Sequence, residues 1–165
     1  MRMNRIRNRL SLVVFVSMLA ACGGAQHDAT PVTAADASAA NTGDATTQVG
    51  DAWVRASVVQ GSALPATIAS RYGVERDPRA LLLLVVAGKG PVESSTPVPV
   101  DASARVTGLD GSVQDIAMRQ VRDGDAIDSI GTLHTTLPDT LRFELHVRVD
   151  GKASTFAFQR EFYPQ

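Results

Sequence analysis

Apolar and polar residues alternate strictly over residues 141–149. The odd positions hold Leu, Phe, Leu, Val and Val, and the even positions hold Arg, Glu, His and Arg. This two-residue period is that of a β-strand with one buried face and one exposed face. Asp150-Gly151, a pair typical of a tight hairpin turn, follows, and the next run, 154–163, again places phenylalanines on one face. We therefore predict an antiparallel hairpin in this part of the chain.

Similar runs precede this hairpin and are separated by turn signals. Six aliphatic residues in a row, 81–86, predict a central strand that is covered on both faces. The other predicted strands are 52–60, 98–106, 112–121 and 126–135, with turns at Asp110-Gly111 and Asp123-Gly124. About seven short antiparallel strands favour two packed sheets, so we predict an all-β fold, a β-sandwich that is immunoglobulin-like in architecture only.

One short helix interrupts the strands. Leu64, Ile68 and Tyr72 recur at every fourth position, which marks one helical face. Pro65 suits the first helical position and Gly73 suits the position just past the last turn, so we predict a helix over 65–72. Because Leu64 offers no side-chain acceptor, the amino-terminal cap of this helix should be poor.

The first 22 residues have the pattern of a secretory signal that ends in a lipidation site. Four arginines precede an uncharged, mostly apolar stretch over 10–20, which is too short to span a hydrocarbon core as a helix. Leu19-Ala20-Ala21-Cys22 resembles the bacterial lipobox, in which the lipoprotein signal peptidase cleaves before a cysteine that carries diacylglycerol. We predict a signal peptide over 1–21 and Cys22 as the lipidated residue.

Cys22 is the only cysteine of the chain, so no intramolecular disulfide can form. Lipidation accounts for a lone thiol in an exported protein, and the alternative is an ordinary secretory signal that is cut near Ala21. Two or three acyl chains would anchor the protein firmly in a membrane. Gly23, and not Asp, follows the cysteine, which resembles the enteric sorting signal for the outer membrane. We expect a lipid-anchored envelope protein on the outer membrane, facing the periplasm.

Residues 22–48 are predicted to be the lipidated cysteine and a flexible tether. The stretch lacks Lys, Arg and aromatic residues, and Val32 is its only large aliphatic residue. It cannot bury enough apolar surface to offset its ordering entropy. His27 and Asp28 are interpreted as solvated linker residues, and the alternative is that part of the stretch packs as an amino-terminal strand. One folded domain then spans 49–165.

The net charge of the chain argues against nucleic acid as a partner. Sixteen Lys and Arg residues and 17 Asp and Glu residues give a net charge of −1. Removal of residues 1–21 would remove four arginines and no acidic residue, leaving the mature chain at −5. The chain has no basic stripe of the kind that neutralises phosphates, so we expect no nucleic-acid partner.

The titratable residues of 49–165 form no recognisable catalytic set. The sequence has no Gly-x-Ser-x-Gly nucleophile elbow. His146 falls on the exposed face of its strand and His134 lies near a strand end, where a local turn role is expected; two separated histidines do not make a zinc site. Asp123, Asp125 and Asp128 lack the spacing of an EF-hand, and a hairpin turn is the simpler interpretation. We expect no enzyme, cofactor or metal, and cation binding by these aspartates stays open.

Three residues are candidate contacts for a ligand or partner. Trp53 is the only tryptophan, and core packing is its competing interpretation. Tyr72 belongs to the apolar stripe of the helix. Arg160 falls in phase with the phenylalanines on the nominally buried face, so either a β-bulge redirects it or it pairs with a carboxylate across the sheet.

Several short sequence phrases occur in one order along the domain. They are Val49-Gly50-Asp51, Arg71-Tyr72-Gly73-Val74-Glu75-Arg76, Thr96-Pro97-Val98, the stretch from Arg119 to Ile127, Thr140-Leu141-Arg142-Phe143 and Phe158-Gln159-Arg160-Glu161-Phe162-Tyr163. Their order over nearly all of 49–165 resembles the proteobacterial family DUF 4426, although Leu64 stands where Thr is expected before the helix proline. The resemblance implies an exported domain that faces the periplasm and has no established activity.

Three functional hypotheses follow. The favoured one is a tethered, non-catalytic β-sandwich that binds another envelope component. The alternative is a lipoprotein that binds a small ligand, which requires a pocket lined by several convergent polar groups. The third is an envelope enzyme with a site that the sequence does not reveal.

Overall fold

The chain passes back and forth between two β-sheets. The computed structural model describes residues 44–165, with the side chain of Asp123 excepted. The predicted signal peptide 1–21, Cys22, His27, Asp28 and the rest of 23–43 lie outside the described residues. In chain order the described strands are β1 (Asp44–Val49), β2 (Ala52–Gln60), β3 (Ala80–Lys89), β4 (Thr96–Pro97), β5 (Asp101–Thr107), β6 (Val113–Ile116), β7 (Arg119–Asp123), β8 (Ala126–His134), β9 (Asp139–Val149) and β10 (Lys152–Phe162). One helix, α1 (Ala66–Tyr72), and two 3-10 turns, Gly61–Ala63 and Val92–Ser94, complete the described elements.

All pairings among these strands are antiparallel. The first sheet has the order β1-β2-β3-β8-β7, and the short β4 also pairs with β3. The second sheet has the order β10-β9-β5-β6. The predicted all-β, two-sheet sandwich with one short helix is therefore confirmed, although the described part of the chain forms ten strands rather than about seven.

The alternation of β9 builds the core between the sheets. All five of its apolar side chains are buried, and they face the inward side chains of β2 and β3. The ring of Phe158 on β10 stacks on Phe143 directly opposite, with centroids 4.9 Å apart and ring planes 9° from parallel. Burial of each large apolar side chain stabilises the fold by about 1.5–3 kcal/mol.

β3 is covered on both faces, as its run of aliphatic residues predicts. Leu81, Leu83 and Val85 face the second sheet, and Leu82 faces outward but is only 2% exposed. Leu82 is buried because α1 packs over it. The helix, its flanking residues and two strands form a second, smaller core of Leu64, Ala69, Tyr72, Val74, Leu82 and Ile130.

The ends of α1 follow from local sequence. Pro65, predicted as the first helical residue, is instead the cap residue, because the helix begins one position later at Ala66, and no side chain bonds the first turn. Gly73 ends the helix with a φ of +62°, a left-handed conformation that glycine adopts without steric cost. The guanidinium of Arg119 donates a hydrogen bond to the carbonyl of Tyr72. A terminal helix carbonyl, which has no partner within the helix, is thereby satisfied.

The predicted Asp150-Gly151 turn joins β9 to β10. Asp150 has a φ of 49° and Gly151 has a φ of 77°, and Val149 lies opposite Lys152. Two positive φ angles match the twist of the flanking strands. At this end of the sandwich Lys89 Nζ lies 2.7 Å from Asp150 Oδ2 and 3.1 Å from Asp51 Oδ2. The lysine therefore links a turn of each sheet.

The prediction of one strand over 112–121 is wrong. Its residues form β6 in the second sheet and β7 in the first, because the chain crosses between the sheets at Ala117 and Met118. Gly131 of β8 makes room for the crossing. A Cβ at Gly131 would lie 2.4 Å from Ile116 Cγ2 and 2.6 Å from Met118 Sδ.

Two predicted boundaries also need correction. Residues 44–48, assigned to the tether, form most of β1, in which Ala45 is buried. Backbone pairing with β2 supplies hydrogen bonds that do not depend on large apolar side chains. The strand predicted over 98–106 begins at Asp101, because residues 98–100 connect β4 of the first sheet to β5 of the second.

Candidate functional site

An open groove of about 710 Å³ lies at the end of the sandwich where β3 begins and β8 ends. One wall is the turn between β5 and β6, and the other is the loop between β8 and β9. Hydrogen-bonding side chains dominate the lining: Ser112, Gln114, His134, Thr135, Thr136 and Asp139. We call this feature the end groove.

Asp139 holds the two walls of the end groove together. Its Oδ1 accepts hydrogen bonds from the backbone N–H of Leu109, at 3.1 Å, and of Thr140, at 2.8 Å. Its Oδ2 accepts one from Thr135 Oγ1 at 2.5 Å. Hydrogen bonds to an ionised acceptor are stronger than neutral ones, so this single carboxylate makes the groove a preformed feature.

Leu109 supplies an apolar surface at the rim of the end groove. It lies in the turn between β5 and β6 and is 77% exposed. Val113, on the neighbouring β6, is 58% exposed. The end groove thus offers apolar contact beside its hydrogen-bonding groups.

The other charged groups of the end groove already have partners from their own loops. Asp110 accepts a hydrogen bond from the backbone N–H of Ser112 at 2.8 Å, and hydrogen bonds from Ser112 lower the pKa of the Asp110 carboxyl. The guanidinium of Arg79 contacts Asp77 at 3.3 Å. Hydrogen bonds from Arg79 lower the pKa of Asp77, and Asp77 raises the pKa of Arg79. The groove therefore combines its neutral hydrogen-bonding groups with the carboxylates of Asp110 and Asp139 and the ion-paired guanidinium of Arg79.

His134 is the last residue of β8 and lines the end groove, so its location near a strand end is as predicted. Its Nε2 lies 3.7 Å from Glu75 Oε2, and its backbone carbonyl accepts a hydrogen bond from Gln114 Nε2 at 3.3 Å. His146 lies on the exposed face of β9, as predicted, with its Nδ1 2.9 Å from Thr155 Oγ1. It lines a smaller groove of about 360 Å³ on the outer face of the second sheet.

None of the three predicted contact residues lines the end groove, and the structure does not bring them together. Tyr72, the last residue of α1, is buried against the first sheet, and its hydroxyl donates to Asp128 Oδ2 at 2.8 Å. The pair fastens the helix to β8 on the outer face of the first sheet.

Trp53 is buried on the outer face of the first sheet. It lies opposite Gly88 in the register of β2 and β3, and a Cβ at Gly88 would lie 2.6 Å from its Cζ2. The guanidinium carbon of Arg55 lies 5.6 Å from the centre of its ring. Packing against glycine and arginine within the first sheet accounts for the burial of its ring.

Arg160 joins the two sheets. The register of β10 against β9 is continuous through Arg160, so no bulge redirects it. Its guanidinium donates to the carbonyl of Val58 on β2 and lies 5.3 Å from the ring centre of Phe162. Among residues 44–165, the pairing of β1 with β2 extends to Ser57, and Arg160 bonds the next carbonyl of β2, that of Val58.

Asp125 and Asp128, at and after the β7–β8 turn, do not share a site. Asp125 is exposed in the turn, whereas Asp128 is buried beside Tyr72. Across the described range 44–165, no three His, Cys, Asp or Glu side chains are grouped so as to hold a metal ion. None of the helices described there has the length and hydropathy of a membrane span.

Sequence reasoning missed the residues that build the end groove. Asp139 follows a proline and is the first residue of β9, a position that gives no sign of its three hydrogen-bond donors. Leu109 carried a usable signal, because a large aliphatic residue inside the turn sequence Gly108-Leu109-Asp110-Gly111 has no strand face on which to be buried.

Comparison with known proteins agrees with the family resemblance that the sequence phrases indicate. A family model described as DUF4426, a domain of unknown function, matches residues 46–165. The chain belongs to the DUF4426 family. A solved DUF4426 protein from Pseudomonas aeruginosa is 27% identical with a TM-score of 0.63, over 74% of this chain and 97% of that one. No curated protein matches the chain.

Two structures of FetP from uropathogenic Escherichia coli share the fold of this DUF4426 domain. FetP expressed in the periplasm of E. coli is 10% identical with a TM-score of 0.52, over 72% of this chain and 93% of that one. A copper-bound FetP variant is 12% identical with a TM-score of 0.50, over 73% of this chain and 95% of that one. At such identities the likeness shows the fold alone.

Proposed function

We propose that this DUF4426 protein is a lipid-anchored envelope protein whose domain faces the periplasm and binds another envelope component at the end groove. The lipobox around Cys22 supports the anchor, and the Gly at position 23 favours the outer membrane. The domain shares its fold with FetP, a protein that was expressed in the periplasm, and this agrees with a domain that faces the periplasm.

The end groove is the observation that carries the binding role. Its walls are held in place by the three hydrogen bonds to Asp139, so little ordering entropy is lost when a partner binds. Leu109 adds an exposed apolar contact beside groups that can donate and accept hydrogen bonds. Apolar contact combined with oriented polar groups is the usual composition of a recognition surface.

The shape of the end groove favours a macromolecule over a small ligand. Its volume of about 710 Å³ falls within the usual range for ligand sites. Such sites, however, enclose most of the surface of their ligand, whereas the end groove is open to solvent. A small molecule would remain largely in water there.

The polar groups of the end groove do not resemble an enzyme site. Both oxygens of the Asp139 carboxylate are occupied by donors of the loops that it joins. Thr135, the hydroxyl nearest to a carboxylate in the groove, uses its proton in that bond. Catalysis by a hydroxyl requires a base that is free to accept its proton. Because the carboxylate beside Thr135 is already occupied by other donors, the groove supports a non-catalytic role.

Metabolic labelling with a fatty-acid analogue tests the anchor. The wild type should be labelled and Cys22→Ala should not, because the thiol is the acylated group. Equal labelling of both forms would show that the anchor is wrongly assigned.

Photo-crosslinking in living cells tests the binding role. A crosslinking amino acid at position 109, in the end groove, should yield a specific adduct. The matched control is position 92, since Val92 is also an exposed aliphatic residue, at 46%, but lies in the 3-10 turn near the opposite end of β3. Adducts that are identical from both positions, or absent from position 109 in all growth conditions, would argue against a partner at the groove.

A further inference from the structure

β8 has an unpaired edge beside the end groove. β7 pairs with β8 only from Asp123 to Arg119, which lies opposite Ile130. On its other side β8 continues to pair with β3 as far as His134, opposite Ala80. Within the described range, residues 131–134 therefore have a hydrogen-bonded strand on one side only.

The register shows which backbone groups face this edge. The N–H of Thr135 donates to the carbonyl of Arg79 at 3.0 Å, so Thr135 faces β3. Successive residues of an antiparallel strand face opposite neighbours, and Thr132 and His134 therefore face away from β3. The hydrogen bond from Gln114 Nε2 to the carbonyl of His134, at 3.3 Å, arrives from this open side.

Gln114 occupies the place of a strand neighbour. Its side-chain amide donates to one edge carbonyl, as the backbone of a paired strand would. Among the described contacts, the N–H and carbonyl of Thr132 and the N–H of His134 have no partner on the open side. These groups recur about 7 Å apart along the strand, a repeat that another extended polypeptide backbone matches.

We propose that the end groove receives an extended peptide segment, which adds as a short strand to the edge of β8 at Thr132 and His134. The proposal rests on the proposed binding function and names the chemistry of the partner. The segment carries few acidic residues, because the carboxylates of Asp110 and Asp139 line the groove and accept hydrogen bonds only from neutral groups in the described contacts. It presents an apolar side chain to Leu109, and its backbone supplies both hydrogen bonds and register.

The test uses the full-length lipoprotein in detergent micelles and short random peptides displayed on phage. Selected peptides should be apolar and poor in acidic residues. On binding, the amide protons of Thr132 and His134 should become protected from exchange with solvent in NMR spectra. N-methylation of alternate backbone amides of the peptide should abolish binding, whereas methylation of the intervening amides should not, because only every second residue of an added strand faces β8.

Two proline variants provide a matched pair. Thr132→Pro removes an edge N–H beside the end groove and should weaken peptide binding about tenfold or more. Arg122→Pro removes an edge N–H of the same sheet that faces away from β8, and it should leave peptide binding unchanged.

Three results would overturn strand addition. They are selection of no binding peptide, protection of amides elsewhere than Thr132 and His134, and equal effects of methylation at both sets of peptide amides. The last two use the wild-type protein, so they remain decisive if Thr132→Pro does not fold. Specific crosslinks from position 109 together with any of these results would retain the binding role and reject the strand mechanism.

Discussion

The hydrogen bond between Tyr72 and Asp128 should contribute more to stability than the same pair of groups does at the surface. Tyr72→Phe keeps the ring and removes only the hydroxyl, which donates to Asp128 at 2.8 Å in a buried site. Hydrogen bonds to charged groups contribute about 1.5–3 kcal/mol, and a buried acceptor that loses its donor incurs a desolvation cost of similar size. We expect the free energy of unfolding to fall by about 2 kcal/mol, roughly a thirtyfold change in the unfolding equilibrium.

Urea unfolding of the purified chain measures this change. The midpoint should fall while the slope of the transition stays constant, since the surface exposed on unfolding is unchanged. Tyr163→Phe is the matched control. Its hydroxyl donates to Glu161 at 2.6 Å, but the residue is 59% exposed, so water replaces the lost bond. We expect a change there of less than about 0.5 kcal/mol.

A double-mutant cycle with Asp128→Ala isolates the pair. If the hydrogen bond is responsible, the effect of Tyr72→Phe should shrink in the Asp128→Ala background, because the buried acceptor is gone. Equal destabilisation by Tyr72→Phe and Tyr163→Phe, or an unchanged effect in the Asp128→Ala background, would refute the reasoning.

Three further predictions concern the core, the groove and the opposite end of the sandwich. Phe143→Ala should lower the free energy of unfolding by about 3–5 kcal/mol in urea titrations, and a loss below about 1 kcal/mol would contradict its place in the core. Asp139→Ala should accelerate hydrogen exchange at the amide of Leu109 without affecting the β9 core; unchanged exchange would show that the carboxylate does not hold the walls. Lys89 lowers the pKa of Asp51, so this contact stabilises the fold above the ordinary pKa of 3.8 and is lost as the pH falls through the lower folded value. In an NMR titration Lys89→Met should raise the Asp51 midpoint, and an unmoved midpoint would rule out the lysine as the cause.

The features that were predicted correctly depend on near neighbours in the chain. The period of β9 and the positive φ angles of Asp150 and Gly151 follow from the residues themselves. Gly73 likewise ends α1 where its conformational freedom allows a left-handed residue. These elements are local, so a pattern of a few residues is sufficient to predict them.

The features that were missed depend on contacts between distant residues. The division of 112–121 into β6 and β7 depends on Gly131, which leaves space where the chain crosses between sheets. Arg160 looked anomalous in the alternation because its partner is the carbonyl of Val58, 102 residues away. The end groove requires Asp139 to bond Leu109, 30 residues earlier.

By itself the sequence determined the all-β class, the helix and the order of phrases that places the chain in its family. The prediction that Cys22 is lipidated also rests on the sequence alone. Short-range periodicity and local motifs encode all of these. Only the tertiary structure decided which strands meet, where α1 packs and that Thr132 and His134 have an unpaired edge beside an open groove. The physical reason is that a sheet edge is defined by the absence of a neighbouring strand, and strand neighbours are set by long-range packing rather than by the residues of the strand itself.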